Sequence, residues 1–517
     1  MDAPRRRRFA TWLLAACIVA SGWSASSARQ AQTLDRLGSV RLQACEGAGV
    51  SDARCGTFEV FENRSANAGR KIVLHIVVVP HQGPTALPDP VFWFEGGPGG
   101  AATQAVGPVS QQYLRGLRRD RDLVFVDQRG TGASHPLHCR DIGEDPSKPD
   151  VYYGKLFPPS SIAACRRQLE TLADLTQYTT SIAMDDLDDV RRALGYERIN
   201  LAGASYGTTA ALVYMRQYPD RVRSAFLVGV ATPGFKLPLP FARAAQNAWE
   251  QLLADCVIDQ ACRGAYPRLR EEFDAVLAKF DRGPVQIRIT DPVTGQPRSV
   301  RLEREKYVEH LRLLLYSTTS ASFVPLVVHR AALDDFAPFT AMATRFNIGA
   351  GLARGMYFSV TCAEDAPFIT EAQIVAETRG TFLGDRRVRA HLAACREWPR
   401  GKAPDNFIDQ VRGQTPVIMF SGQADGATPP WIAAEAIASL PRGRQITAPH
   451  TGHQMNAPCL WTLMQTFIGT ASAASVDASC VNQFTRPPFA TDVPRSGLQL
   501  PRKPGDDVIF ALAHRLH

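Results

Sequence analysis

Apolar residues in the first half of the chain come in short unbroken runs. Ile72-Val73-Leu74, Ile76-Val77-Val78-Val79, Val91-Phe92-Trp93-Phe94, Leu123-Val124-Phe125-Val126 and Ala225-Phe226-Leu227-Val228 all have strand length or are pieces of one. Runs without a polar face predict strands covered on both sides, as in a parallel sheet. Phe58-Glu59-Val60-Phe61 adds a strand ahead of them, and Ile199-Asn200-Leu201-Ala202 one among them. Helix-period stretches fall between the strands. Over Asp185 to Leu194, Leu187, Val190 and Leu194 share one face and two aspartates occupy the first turn. Alternating strands and helices predict an α/β class with a mostly parallel, doubly wound sheet. From 233 to 405 helical stretches take over (Phe241 to Cys256, Leu269 to Phe280, Arg304 to Tyr316). They are interrupted by a hairpin in which Val285 to Ile289 and Ser299 to Leu302 flank a Pro/Gly turn. The sheet resumes at Pro416 to Phe420, with a helix from Trp431 and a strand near Gln445-Ile446-Thr447.

This pattern divides the chain into a leader over 1–28, a sheet core over 29–232 and a large, mainly helical cap over 233–405. A second core part follows over 406–485, and a Pro- and Arg-rich tail over 486–517. The leader carries Arg5 to Arg8, fifteen uncharged residues from Phe9 to Trp23, and small residues over 24–28, the layout of an export signal. Fifteen residues are short for a membrane span, and no other stretch reaches spanning length. Leu14-Ala15-Ala16-Cys17 resembles a lipobox, leaving a lipid anchor at Cys17 open beside plain secretion or a periplasmic location; Arg-Arg-x-Phe resembles a twin-arginine signal. Of the formal charge of +8, the leader supplies +3, and the remainder is spread without a basic block, so nucleic acid is not an expected partner. Leaving out Cys17, ten cysteines remain, an even number in an exported chain, which favours disulfides. Their spacing suggests neighbours: 45 with 55, 139 with 165, 256 with 262, 362 with 395 and 459 with 480. No C-x-x-C or His/Cys cluster supports zinc, and no cofactor is expected.

The candidate chemistry sits where strands end. Gly203-Ala204-Ser205-Tyr206-Gly207 places G-x-S-x-G between an apolar strand and a helix of small residues, a turn that projects the Ser205 hydroxyl above the sheet. A serine nucleophile needs a base and an acid to orient that base. Asp425 lies just past the strand ending at Phe420, and His453 follows the next strand; the order Ser, Asp, His fits. His450 competes as base, but Gly452 before His453 suits a loop in close approach to the nucleophile. Backbone N–H groups of Tyr206 and of Gly97, in Glu95-Gly96-Gly97-Pro98-Gly99-Gly100, are the candidate oxyanion donors.

With these residues in place, the chain resembles the α/β-hydrolase family of prolyl and tripeptidyl aminopeptidases. The resemblance rests on Gly96-Gly97-Pro98-Gly99, Asp127-Gln128-Arg129-Gly130-Thr131-Gly132-Ala133-Ser134, the Ser205 elbow, and Asp425 with Thr428-Pro429. It spans roughly 56–480, and the leader and cysteines look more like the secreted tripeptidyl-type members. Glu95 departs from the histidine that prolyl enzymes usually carry before Gly-Gly-Pro-Gly. The resemblance implies an exported serine aminopeptidase acting on peptides with a free N-terminus, without metal or cofactor. Val360-Thr361-Cys362-Ala363-Glu364-Asp365 looks like the family stretch in which acids near a cysteine bind the substrate's amino end. Glu364, Asp365 and Glu95 are candidates in that order. An esterase or lipase-like hydrolase on the same machinery is the alternative, with a non-catalytic extracellular binding protein behind it; an acid-lined closed cap favours the peptidase, an open apolar groove the esterase.

Overall fold

The computed structural model describes residues 36–139, 142–347, 351–455 and 458–492. The leader with Cys17 and the tail beyond 492 lie outside the described residues. The strands are β1 (Arg36–Leu37), β2 (Val40–Ala44), β3 (Arg54–Phe61), β4 (Lys71–Val79), β5 (Val91–Phe94), β6 (Leu123–Val126), β7 (Ile199–Ala204), β8 (Val222–Val228), β9 (Val285–Thr290), β10 (Pro297–Leu302), β11 (Val417–Gly422) and β12 (Gly443–Ala448). Among the described residues, ten of them form one sheet in the order β1-β2-β3-β4-β6-β5-β7-β8-β11-β12. From β6 to β12 the neighbours run parallel, while β1 to β4 join antiparallel and pair with β6 through β4. The expected hairpin is β9 with β10, from Thr290↔Pro297 to Val285↔Leu302.

Alternation along each strand feeds two apolar layers. Leu74, Ile76 and Val78 of β4, with Phe92 and Phe94 of β5, join the core that contains α1 (Thr180–Ala193) and α2 (Tyr206–Gln217). Val77, Val79, Val91 and Trp93 turn to the opposite layer. The long apolar strands therefore need cover on both faces, and they have it. α1 starts a turn earlier than the aspartates imply. Thr179 is its N-cap, with its hydroxyl accepting from Ile182 N–H.

The chain between β8 and β11 is inserted where these strands are sheet neighbours. Its helices α3 (Phe241–Ile258) and α4 (Arg304–Leu314), with the hairpin, build an apolar cluster of their own that also takes in Tyr152 and Tyr153. α5 (Arg354–Glu364) and α6 (Arg386–Glu397) instead pack into the sheet's cluster through Met356, Phe358, Cys362 and Cys395. The ten described cysteines form five disulfides in the neighbour pairing that the spacing suggests. Five disulfides fit an exported protein. Among the described residues, no helix is long and apolar enough to cross a membrane.

Candidate active site

Ser205 sits between β7 and α2 with φ 55° and ψ −127°, a strained conformation for a residue with a side chain. Its neighbours hold it there. Its N–H donates to Val228 O at 2.9 Å, and its carbonyl accepts from the Thr208 N–H and hydroxyl at 2.8 and 2.6 Å. A Cβ on Gly207 would stand 2.1 Å from the Phe94 carbonyl oxygen, and one on Gly203 2.8 Å from that of Gly207, so both glycines serve close packing of the turn.

The loops after β11 and β12 bring the two other expected residues to this point. His453 Nε2 lies 3.1 Å from Ser205 Oγ, and its Nδ1 lies 2.8 Å from Asp425 Oδ2. Asp425 and His453 are both buried. Burial alone would raise the Asp425 carboxyl, but the His453 charge and hydrogen bond and the N–H groups of Thr428 and Ala427 hold it below its ordinary value. His450 goes elsewhere; it is exposed, with its ring 3.8 Å from Asp255. Gly452 serves a different approach from the one expected of it. It abuts the inserted chain, where a Cβ would meet Tyr316 O at 2.6 Å.

Sequence reasoning missed three supports of the histidine. The Thr428 hydroxyl donates to Asp425 Oδ2 at 2.9 Å and lies 3.0 Å from His453 Nδ1; it had entered only as part of a motif. The Tyr316 ring stands edge-on to the imidazole at 5.0 Å. Gly229, with φ 62°, underlies the ring at a point where a Cβ would be 3.1 Å from His453 Cε1.

Gly97, Tyr206 and Ser205 line one cavity, together with Glu364 and Asp365. As the first residue of α2, Tyr206 has an N–H with no acceptor inside the helix. The Asp127 motif is a brace for this region. The Asp127 carboxylate accepts from Thr103 and Ala133, and Arg129 is buried against Asp186 at 2.6 and 2.9 Å.

Glu364 is 1% exposed and accepts from the Thr180 N–H and hydroxyl, both at 2.6 Å. The same hydroxyl lies 2.7 Å from the Tyr206 phenol, linking the acid to the residue after Ser205. Burial pushes Glu364 up to about 8 against these hydrogen bonds. Asp365, which accepts from Leu237 N–H at 2.9 Å, is raised well above its ordinary value by burial and by Glu364. Glu95 is not brought to the cavity. Its carboxylate accepts from Trp93 Nε1 and Gly96 N–H at 2.9 and 3.0 Å, because strand alternation sends it to the face that Trp93 occupies. Cys362, His391 and Cys395 converge, but the two sulfurs are bonded to each other. A disulfide offers no thiolate to a metal.

A buried Ser-His-Asp array on a strand-to-helix turn, at the carboxyl edge of a parallel sheet, is the arrangement of an α/β hydrolase. Residues 89–306 match the alpha/beta hydrolase fold family, and residues 381–480 match the TAP-like protein family. Together the two matches support the TAP-like α/β-hydrolase family for this chain. Serine protease Hip1 of Mycobacterium tuberculosis is 26% identical over 393 residues, covering 69% of this chain and 74% of that protein. Tripeptidyl aminopeptidase of Streptomyces coelicolor is 24% identical over 436 residues, 76% of each chain. Proline iminopeptidase of Neisseria gonorrhoeae is 27% identical over 142 residues, 27% of this chain and 32% of that one.

Proposed function

We propose that this protein is an exported serine aminopeptidase that releases short N-terminal pieces from peptides through an acyl-enzyme on Ser205. The observation that carries this reading is the pair of buried acids, Glu364 and Asp365, in the same cavity as Ser205. A carboxylate buried without a fixed cation is costly, and a substrate ammonium would supply the missing charge. A cavity for acyl chains has no use for such a pair, which sets the esterase alternative behind. The serine protease and tripeptidyl aminopeptidase relatives support the same reading.

In this mechanism His453 Nε2 takes the Ser205 proton as Oγ attacks the scissile carbonyl. Asp425 and Thr428 hold the imidazole in the tautomer that accepts at Nε2, and Asp425 stabilises the imidazolium that forms. The N–H groups of Tyr206 and Gly97 receive the oxyanion. His453 then protonates the leaving amine, and water activated by the same imidazole frees the acyl group. Glu364 and Asp365 hold the free amino terminus and so set how far along the peptide Ser205 attacks. Export rests on the leader, and the Cys17 anchor remains a variant of it.

The test compares free-amino and amino-blocked tripeptidyl amides, beside a short-chain ester, with the protein and with Ser205→Ala. Cleavage confined to free-amino amides and lost in Ser205→Ala supports the reading. Equal use of blocked amides would remove the ammonium-binding role, and cleavage of the ester alone would replace the reading by the esterase.

A further inference from the structure

A second group of charges lines the same cavity. α5 runs along the wall, with Arg354, Tyr357, Val360 and Glu364 all facing in. Ten residues at 1.5 Å each separate the backbone at its two ends by about 15 Å. Around the Arg354 end gather Lys306, Glu309, His310 and Arg312 of α4, Arg387 of α6, and Glu144. All but Glu144 are at least nine-tenths buried.

Their charges do not balance. Arg312 takes both oxygens of Glu309, at 2.6 and 3.1 Å, and Arg354 takes Glu144 at 2.7 Å. That occupies both carboxylates and leaves two cations over. Arg387 Nε stands 3.8 Å from Glu309 without a hydrogen bond, and its Nη2 donates only to the Tyr357 phenol at 3.3 Å. Lys306 donates to Gly143 O at 2.8 Å and makes no ion pair among the described residues. Beside them both ring nitrogens of His310 lack a partner. Arg387 must share Glu309 with Arg312, so the wall carries a buried excess of positive charge beside unsatisfied nitrogens, which marks a place for an anion.

We infer that Lys306, His310 and Arg387 form a carboxylate-binding subsite, so that this enzyme selects peptides carrying an acidic group as well as a free amino end. The inference rests on the aminopeptidase reading. The carboxylate has two sources: an aspartate or glutamate side chain in the peptide, or the free α-carboxylate of a short peptide. Either places a negative charge opposite a positive wall while the ammonium meets Glu364 and Asp365. The cavity thus reads both signs at once, a filter against neutral peptides.

The experiment measures kcat/KM of the unaltered protein on peptides of one length. Gln is replaced by Glu at one position at a time with the C-terminus amidated, and the neutral peptide is then offered with a free carboxylate. The expected result is a gain of about tenfold or more for Glu at one position, or for the free carboxylate over the amide. The first outcome assigns the side-chain source and the second the terminal one. In Arg387→Gln, and independently in Lys306→Met, the acidic-to-neutral ratio falls toward one, a readout that a general loss of folding does not produce. Neutral peptides cleaved with both ratios within about twofold would overturn the subsite and leave the aminopeptidase standing. No cleavage of any peptide would sink both.

Discussion

Glu364 offers the sharpest test, because burial gives it a property that can be followed with and without substrate. Its proton affinity rises from an ordinary 4.5 to about 8. Between those values the folded protein keeps a proton that the unfolded chain releases, so stability falls as pH rises through that window. Each factor of ten in proton affinity is worth about 1.4 kcal/mol, so the full displacement caps at about 5 kcal/mol, and water entering the cavity will lower it. Glu364→Gln keeps the shape and removes the titration. Urea or thermal unfolding from pH 5 to 9 should therefore show the variant gaining on the parent as pH rises, then levelling near 8. With substrate the sign is the useful one. At pH 7 about a tenth of Glu364 is ionised in the empty site, so kcat/KM for a free-amino peptide should climb about tenfold from pH 6 to 7 through this group. It should peak near 8, where the peptide amine begins to lose its own proton. Glu364→Gln should lose that rising limb and roughly 30- to 100-fold in kcat/KM, the worth of a hydrogen bond to a charged group. Asp365→Asn should keep the limb near 8, which separates the two acids. Parallel unfolding curves across the whole range would refute the buried, protonated Glu364. An unshifted pH profile in the variant would refute its role toward the ammonium.

Three further outcomes follow from the geometry. Thr428→Val removes the hydroxyl that donates to Asp425 and should lower kcat by about tenfold or more with little change in KM, read by steady-state kinetics. Gly229→Ala puts a Cβ 3.1 Å from His453 Cε1 at φ 62°, so it should cost about 1–2 kcal/mol of stability and depress kcat by displacing the ring. Glu95→Gln should retain the preference for free-amino over blocked peptides, since that carboxylate faces Trp93 rather than the cavity.

What could be read from the sequence followed a physical divide between local and distant causes. The parallel strands were legible because strands covered on both faces are continuous apolar runs, and β5, β6, β8 and β11 all announce themselves that way. The elbow was legible because close approach at Gly207 leaves no side chain a place. β1 and β2 were not foreseen, since at a sheet edge exposed polar residues such as Arg36, Arg41 and Gln43 carry no apolar run. Glu95 was within reach of sequence reasoning: one residue past β5, it continues the alternation that puts Trp93 in the sheet's other layer.

The cavity wall was not within reach, because its meaning lies in partners far along the chain. Lys306, Glu309 and Arg312 read as the solvated side of an amphipathic helix; only the return of α5 and α6 against α4 buries them and sets Arg387 3.8 Å from Glu309. Thr180 meets Glu364 across 184 positions, with nothing local to either residue that points to the other. The insertion supplies both ends of that wall, whereas the sheet edge supplies Ser205, Asp425 and His453. Residues on strand ends are thus fixed by local turn chemistry and stay readable. The groups proposed to read the substrate depend instead on how separate helices close over the sheet, and α5 carries Arg354 at one end and Glu364 at the other, both on the cavity wall.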